Sequence, residues 1–168
     1  TQGGPLMHMI VAKGQCFIEA DTAWDSDYAD NVVRNAKAMC DVFRQRDMPV
    51  QTDGTDSHII LMDLSDSKYS GREAADLLEE NGITVNKNGV PNDPRSFVET
   101  SGIRLGTAAE TTRGHDEMWF RQLAHKIADI LEWWDMGTMV VGRKTKNVTK
   151  NDLLGGLHVV LLTKNEYG

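Results

Sequence analysis

The chain is short of several things at once. It holds only two cysteines, Cys16 and Cys40, in 168 residues. Two are too few for a disulfide framework and make no zinc motif. Both fall in helical patterns, where a free cysteine is expected to serve as a small core residue. Positive charge is scarce: 18 Lys and Arg stand against 25 Asp and Glu, a formal charge of -7 and a pI near 5.2. Nucleic-acid surfaces carry a basic footprint, so no nucleic-acid partner is expected. No apolar run approaches the roughly 20 residues that span a bilayer, so no membrane partner is expected either. No charged-then-apolar segment opens the chain. There is no linker rich in Gly, Pro or Ser and no internal repeat. His8, His58, His115 and His125 are scattered without ligand spacing, so no metal site is expected. The chain does not open on Met, and an upstream segment is expected.

What is present is ordinary for a globular chain, 40% hydrophobic and 26% charged. That suffices for one domain, or for a small domain plus a piece of another. Gly3-Gly4-Pro5 opens a first helix, with proline at a position where its missing N–H costs nothing. From Leu6 to Ala20 this helix is apolar on nearly every side, so it is expected to be buried on more than one face, with cover from outside the chain. A second helix is expected from about Ser26 to Arg46. Tyr28, Val32, Ala36, Met39 and Phe43 fall on its core face, Asp30, Arg34, Lys37, Asp41 and Gln45 on the other, and Pro49 stops it. Ser57 to Leu64 reads as a buried strand that contains a structural His58. Ser70-Gly71-Arg72-Glu73 is a capping box, and the helix it starts ends at Asn81-Gly82.

Ile83 to Val85 and Gly102 to Leu105 read as short strands, followed by a helix from about His115 to Trp134. Met7, Met9 and Met39 are expected to fill core, and Trp119, Trp133 and Trp134 to anchor the last helix to the sheet. In the tail, Thr138 to Val141 and Leu157 to Leu162 look strand-like. Arg143, Lys144, Lys146 and Lys150 between them read as a solvated loop. Asn147-Val148-Thr149 is a formal glycosylation sequon with nothing else pointing to secretion. The order of elements predicts an α/β sandwich with a small, largely antiparallel sheet.

Two features carry chemistry. Arg104 lies inside an apolar strand, Gly102-Ile103-Arg104-Leu105-Gly106. A buried guanidinium needs an anionic partner, and its planar fork suits a carboxylate. The partner is either a ligand or a distant Asp or Glu of the chain; the residues alone leave both open. Gly3-Gly4 before a helix start offers amides and a positive dipole end, which suit a phosphate. A glycine pair is also plain turn chemistry.

Longer motifs surround these residues. Gln2 to His8 reads Q-G-G-P-L-M-H. Asn35-Ala36-Lys37-Ala38, Gly54-Thr55-Asp56-Ser57-His58 and Gly82 to Asn88 (G-I-T-V-N-K-N) follow in order. Thr100 to Gly106 reads T-S-G-I-R-L-G, and Thr111 to Gly114 reads T-T-R-G. Together, from Gln2 to about Trp133, these segments resemble serine hydroxymethyltransferase, a pyridoxal-phosphate enzyme. Departures are Ser57 for asparagine, Ala108 for proline, and residues 135–168, which resemble the family only faintly. The family's Thr-rich run ending in His-Lys precedes its Q-G-G-P-L-M-H and is not in this chain. Lys126 follows His125 but without those threonines, so the Schiff-base role does not pass to it.

The resemblance implies the C-terminal small-domain α/β sandwich of a fold-type-I PLP-dependent transferase. Residues 1–22 would end the large domain with an interdomain helix, 23–134 would form the small domain, and 135–168 a tail packed on it. It implies interconversion of serine and glycine with tetrahydrofolate as the one-carbon acceptor, in a cytoplasmic homo-oligomer. Arg104 would hold the amino-acid carboxylate and Asn88 the pterin of the folate. Gly3 and Gly4 would touch the cofactor phosphate from a neighbouring subunit. No catalytic residue is assigned in this chain. Pyridoxal phosphate would be held mainly by an N-terminal half or complementary subunit. The alternative expectation is a non-catalytic remnant of the family that binds a partner.

Overall fold

The structure, a computed structural model, describes residues 3–4, 6–22, 27–137 and 159–160, with side chains up to residue 132 apart from that of Thr22. The chain divides into two compact units, residues 1–30 and 31–168. The first holds α1 (Met7–Thr22). Its apolar residues are exposed in this chain; Phe17, for example, is 71% accessible. Met7 and Met9, expected as core fillers, are exposed with it, and so is Cys16. Pro5 lies outside the described residues.

The second unit mixes helices with a small sheet. Most of α2 (Tyr28–Gln45) belongs to it. Its buried residues, Val32, Ala36, Met39 and Phe43 among them, recur every three or four positions. That is the face the periodicity predicts. A single 3-10 turn (Gln51–Asp53) leads to β1 (Ile59–Asp63). α3 (Gly71–Glu80) starts with the predicted capping box: the Glu73 amide donates to Ser70 Oγ at 3.2 Å, and the Ser70 amide to Glu73 Oε2 at 2.8 Å. It stops where Gly82 takes a φ of 80°, a left-handed geometry that glycine adopts without strain.

Strands β2 (Ile83–Thr84), β3 (Asn86–Asn88) and β4 (Gly102–Gly106) follow. Then come α4 (Ala108–Thr112), α5 (Glu117–Gly137) and β5 (Val159–Val160). The main sheet has the order β1-β4-β3, antiparallel throughout, with Leu61 and Asn86 flanking Arg104 in register. β2 pairs separately with β5, in parallel. The other tail segments, with their basic residues and the sequon, lie outside the described residues.

β1 is half-buried rather than wholly buried. Its residues alternate, Ile60 and Met62 inward, Ile59, Leu61 and Asp63 partly open. Ile60, Met62, Ile103 and Leu105 join Phe43, Leu78, Phe120, Ile127 and Leu131 in one core, so the helices cover one face of the sheet. Each of these large side chains contributes about 1.5–3 kcal/mol by leaving water. The opposite face, which carries Arg104, keeps only partial cover. His58 sits one residue ahead of β1 with its side chain exposed, and its carbonyl accepts from the Thr107 amide at 3.2 Å. Trp119, on the last helix, is partly buried and packs against this core. It stacks on His115 at 3.9 Å and meets Phe120 edge-on at the margin of the core. The side chains of Trp133 and Trp134 lie outside those described.

Candidate functional site

Strand alternation places Leu61, Arg104, Asn86 and Asn88 on one face of the sheet. Arg104 is the middle residue of the middle strand. Its Nε is buried and has no hydrogen-bond partner among the described residues. Three acids near it in sequence or in sheet register have other partners. Glu99 accepts from Ser70 Oγ at 3.1 Å and faces Arg72 at 3.4 Å. Glu110, buried in α4, is held by Arg113 at 2.5 Å and lies 3.4 Å from His115 Nε2. Asp63 accepts from Gln51 Nε2 at 2.6 Å and from the Ser65 amide at 2.8 Å. A buried donor left unmade costs about 1–3 kcal/mol, more for a charged group. An incoming carboxylate would remove that cost and gain two parallel charged hydrogen bonds.

Asn88 lies at the end of β3, opposite Gly102. Its Nδ2 donates to Gly89 O at 2.7 Å. One amide proton and the carbonyl oxygen remain for a ligand, a donor and an acceptor side by side. Gly102 has to be glycine. A Cβ there would lie 2.7 Å from Val90 Cγ1 and 2.9 Å from both Asn88 O and Met62 O. The close approach of the three strands depends on it.

The sequence reading missed the group that builds this corner. Asp93 Oδ2 accepts from the Ser101 amide at 2.9 Å and the Val90 amide at 3.2 Å, while Oδ1 accepts from the Arg95 amide at 2.9 Å. The Ser101 hydroxyl first, and then these amides, hold the Asp93 carboxyl down to about 2. Arg95 donates to Leu64 O at 3.0 Å, Ser67 O at 2.6 Å and Ser101 Oγ at 2.9 Å. Asp93-Pro94 after Asn92 is an Asx-turn signature, which was the available signal.

The structure thus brings Asn88 and Arg104 to one sheet face. Gly3 and Gly4 belong to the first unit, both exposed, with no atom within 4 Å of a Cβ built at either. A phosphate could approach them freely, but no second group converges there to form a cradle among the described residues. No group of three or more His, Cys, Asp and Glu among those residues could hold a metal ion. No described helix is long and apolar enough to cross a membrane.

The second unit, mixed α and β, thus carries on a partly covered sheet face an arginine whose buried Nε has no hydrogen-bond partner among the described residues, and a guanidinium has the chemistry to take a carboxylate. Comparison with known proteins gives it a family: the chain belongs to the serine hydroxymethyltransferases, whose family model matches residues 1–127. It is 53% identical over 132 residues to serine hydroxymethyltransferase 1 of Pseudomonas aeruginosa, covering 79% of this chain and 32% of that protein. The serine hydroxymethyltransferase of Nitrosomonas eutropha is 48% identical over 132 residues, with the same coverage. That of Ehrlichia chaffeensis is 44% identical over 131 residues, 78% of this chain and 31% of its own. The chain therefore spans about a third of the length of the curated relatives it matches.

Proposed function

We propose that the chain is the C-terminal portion of a serine hydroxymethyltransferase that interconverts serine and glycine and passes the one-carbon unit to tetrahydrofolate. In this reading, residues 23–134 are the small domain of a fold-type-I pyridoxal-phosphate transferase. Residues 1–22 close the large domain with its interdomain helix, and 135–168 are a tail on the small domain. The cofactor and the lysine that anchors it belong to the remaining two thirds, and the completed enzyme is a homo-oligomer.

The observation that carries the reading is the buried, unpartnered Nε of Arg104 on an open sheet face. Arg104 binds the amino-acid carboxylate through its fork and so fixes the orientation of the α-carbon. Asn88 offers its amide to the edge of the pterin. Gly4, with Gly3 beside it, contributes backbone amides to the cofactor phosphate of a neighbouring subunit. When bound, pyridoxal phosphate supplies the electron withdrawal that weakens bonds at the α-carbon. This chain supplies orientation, and no proton transfer is assigned to its residues.

The test is Arg104→Lys in the enzyme assembled with its remaining two thirds. Lysine keeps the charge and loses the fork. Serine should bind about tenfold to hundredfold more weakly, while ethanolamine, which lacks the carboxylate, should bind unchanged. Equal and small effects on both would make Arg104 a structural residue and favour the non-catalytic remnant.

A further inference from the structure

We propose that Asp93 is a positioning residue that fixes the spacing of Asn88 and Arg104 by holding Ser101. The proposal rests on the roles given above to those two residues. Asn88 and Arg104 stand on neighbouring strands, and the chain between them leaves the sheet after Asn88 and returns at Gly102. Nothing in a two-strand ladder as short as β3–β4 fixes its register firmly. The connection has to do it.

Ser101 is the point of return, fully buried and three residues ahead of Arg104. All its polar groups are held. Its amide donates to Asp93 Oδ2 at 2.9 Å, its Oγ accepts from Arg95 at 2.9 Å, and its carbonyl accepts from the Leu64 amide at 2.6 Å. Asp93 holds the other end of the connection as well, through the Val90 amide. Val90 is buried and stands over Gly102, so it cannot shift without moving the strand. One carboxylate thus grips the chain just after Asn88 and just before Arg104.

The grip works against strain. Thr100, next to Ser101, has a φ of 54°, a left-handed conformation that a β-branched residue adopts only under constraint. Its amide donates to Ser96 O at 2.8 Å and its carbonyl accepts from the Gly71 amide at 2.9 Å, while its Oγ1 is buried and unpartnered. When the carboxylate is lost, Thr100 relaxes toward an ordinary conformation and carries the start of β4 with it. The displacement therefore has a cause and a place.

The experiment has two arms. In the full chain, side-chain amide spectra report Asn88 Nδ2 and Arg104 Nε for wild type, Asp93→Asn and Asp93→Glu. Asp93→Glu keeps the charge and misplaces the oxygens, and it serves as the readable variant if Asp93→Asn does not fold. Both side-chain signals should move, and the Val90, Arg95 and Ser101 amides should exchange more than about tenfold faster, with Phe43 and Ile127 unchanged. Unmoved Asn88 and Arg104 signals overturn the proposal. In the assembled enzyme, Asp93→Asn should raise KM for tetrahydrofolate about tenfold with little change in kcat. In an Asn88→Ala background that rise should shrink, because Asp93 acts by setting the spacing between Asn88 and Arg104. A rise that persists in full makes Asp93 merely structural and overturns the proposal. If the assembled wild type neither binds serine nor turns it over, the proposed function fails, and the spectra still decide the role of Asp93.

Discussion

Asp93 shows how a single residue can be over-determined. The Ser101 side chain, together with three backbone amides that donate to it, favours the charged form of one half-exposed carboxylate. The consequence is a dependence on acid. The carboxyl is lowered from the ordinary 3.8 to about 2. Because the folded value is depressed, the stability that Asp93 contributes is present in full above 3.8 and is lost as pH falls through about 2. Wild type and Asp93→Asn should therefore differ in urea midpoint by a constant amount at neutral pH, and the two curves should converge between pH 3.8 and 2. A gap that stays open at pH 2 would mean that the side chain acts by its shape and not by its charge. Cys40 is the opposite case at this scale. Burial in α2 raises its thiol to about 11, which leaves it inert as a core residue. Cys16, with the same sequence signature, is exposed. Local pattern sees a cysteine on a helix; it does not see what the helix packs against.

Among the elements, those with a local cause were legible. The capping box of α3, the glycine that ends it and the core face of α2 were read from spacing alone and stand as read. Elements held by tertiary contact were not. β3 is Asn-Lys-Asn, residues with little strand preference, and it exists because β4 offers it a ladder. α4 has no side-chain cap; Thr107 Oγ1 instead donates to Val32 O at 2.8 Å, and Thr111 Oγ1 to Thr107 O at 2.8 Å. The candidate site was legible in part for the same reason. Arg104 announces itself as a charge in an apolar strand, while the absence of an internal partner needs three dimensions to see. β4 also carries the sharpest element-level prediction. Gly102→Ala forces a Cβ against two carbonyl oxygens at 2.9 Å, and neither can give way without opening the ladder. The cost should be about 1–3 kcal/mol, read as a lower urea midpoint. If Gly102→Ala is neutral in stability, the strands do not approach as closely as described.

At the scale of the whole molecule, α1 is the feature that the chain does not account for. Met7, Met9, Ile10, Val11, Phe17 and Ile18 are all exposed along one helix of sixteen residues, and so is Leu6 just ahead of it. Soluble monomers rarely leave a continuous apolar surface of that extent open. Propensity alone does not sustain it either, since isolated helices near this length are marginal in water. The second unit has its own core and no need of α1 to build it. The chain also spans only about a third of its relatives' length. These facts lead to one expectation: alone, the chain should associate through α1 while its second unit stays folded. Sedimentation velocity should show a coefficient that rises with concentration. The double variant Ile10→Ser with Phe17→Ser should remove that rise and change the stability of the second unit by less than about 0.5 kcal/mol, as surface substitutions do. Amides of α1 should exchange fast in the variant and slowly once the remaining two thirds of the enzyme are supplied. A wild-type chain that stays monomeric at every concentration with α1 fully protected would show that the helix is covered from within. The apolar face would then belong to the chain's own core, and the partner required by the proposed function would lose its main physical argument.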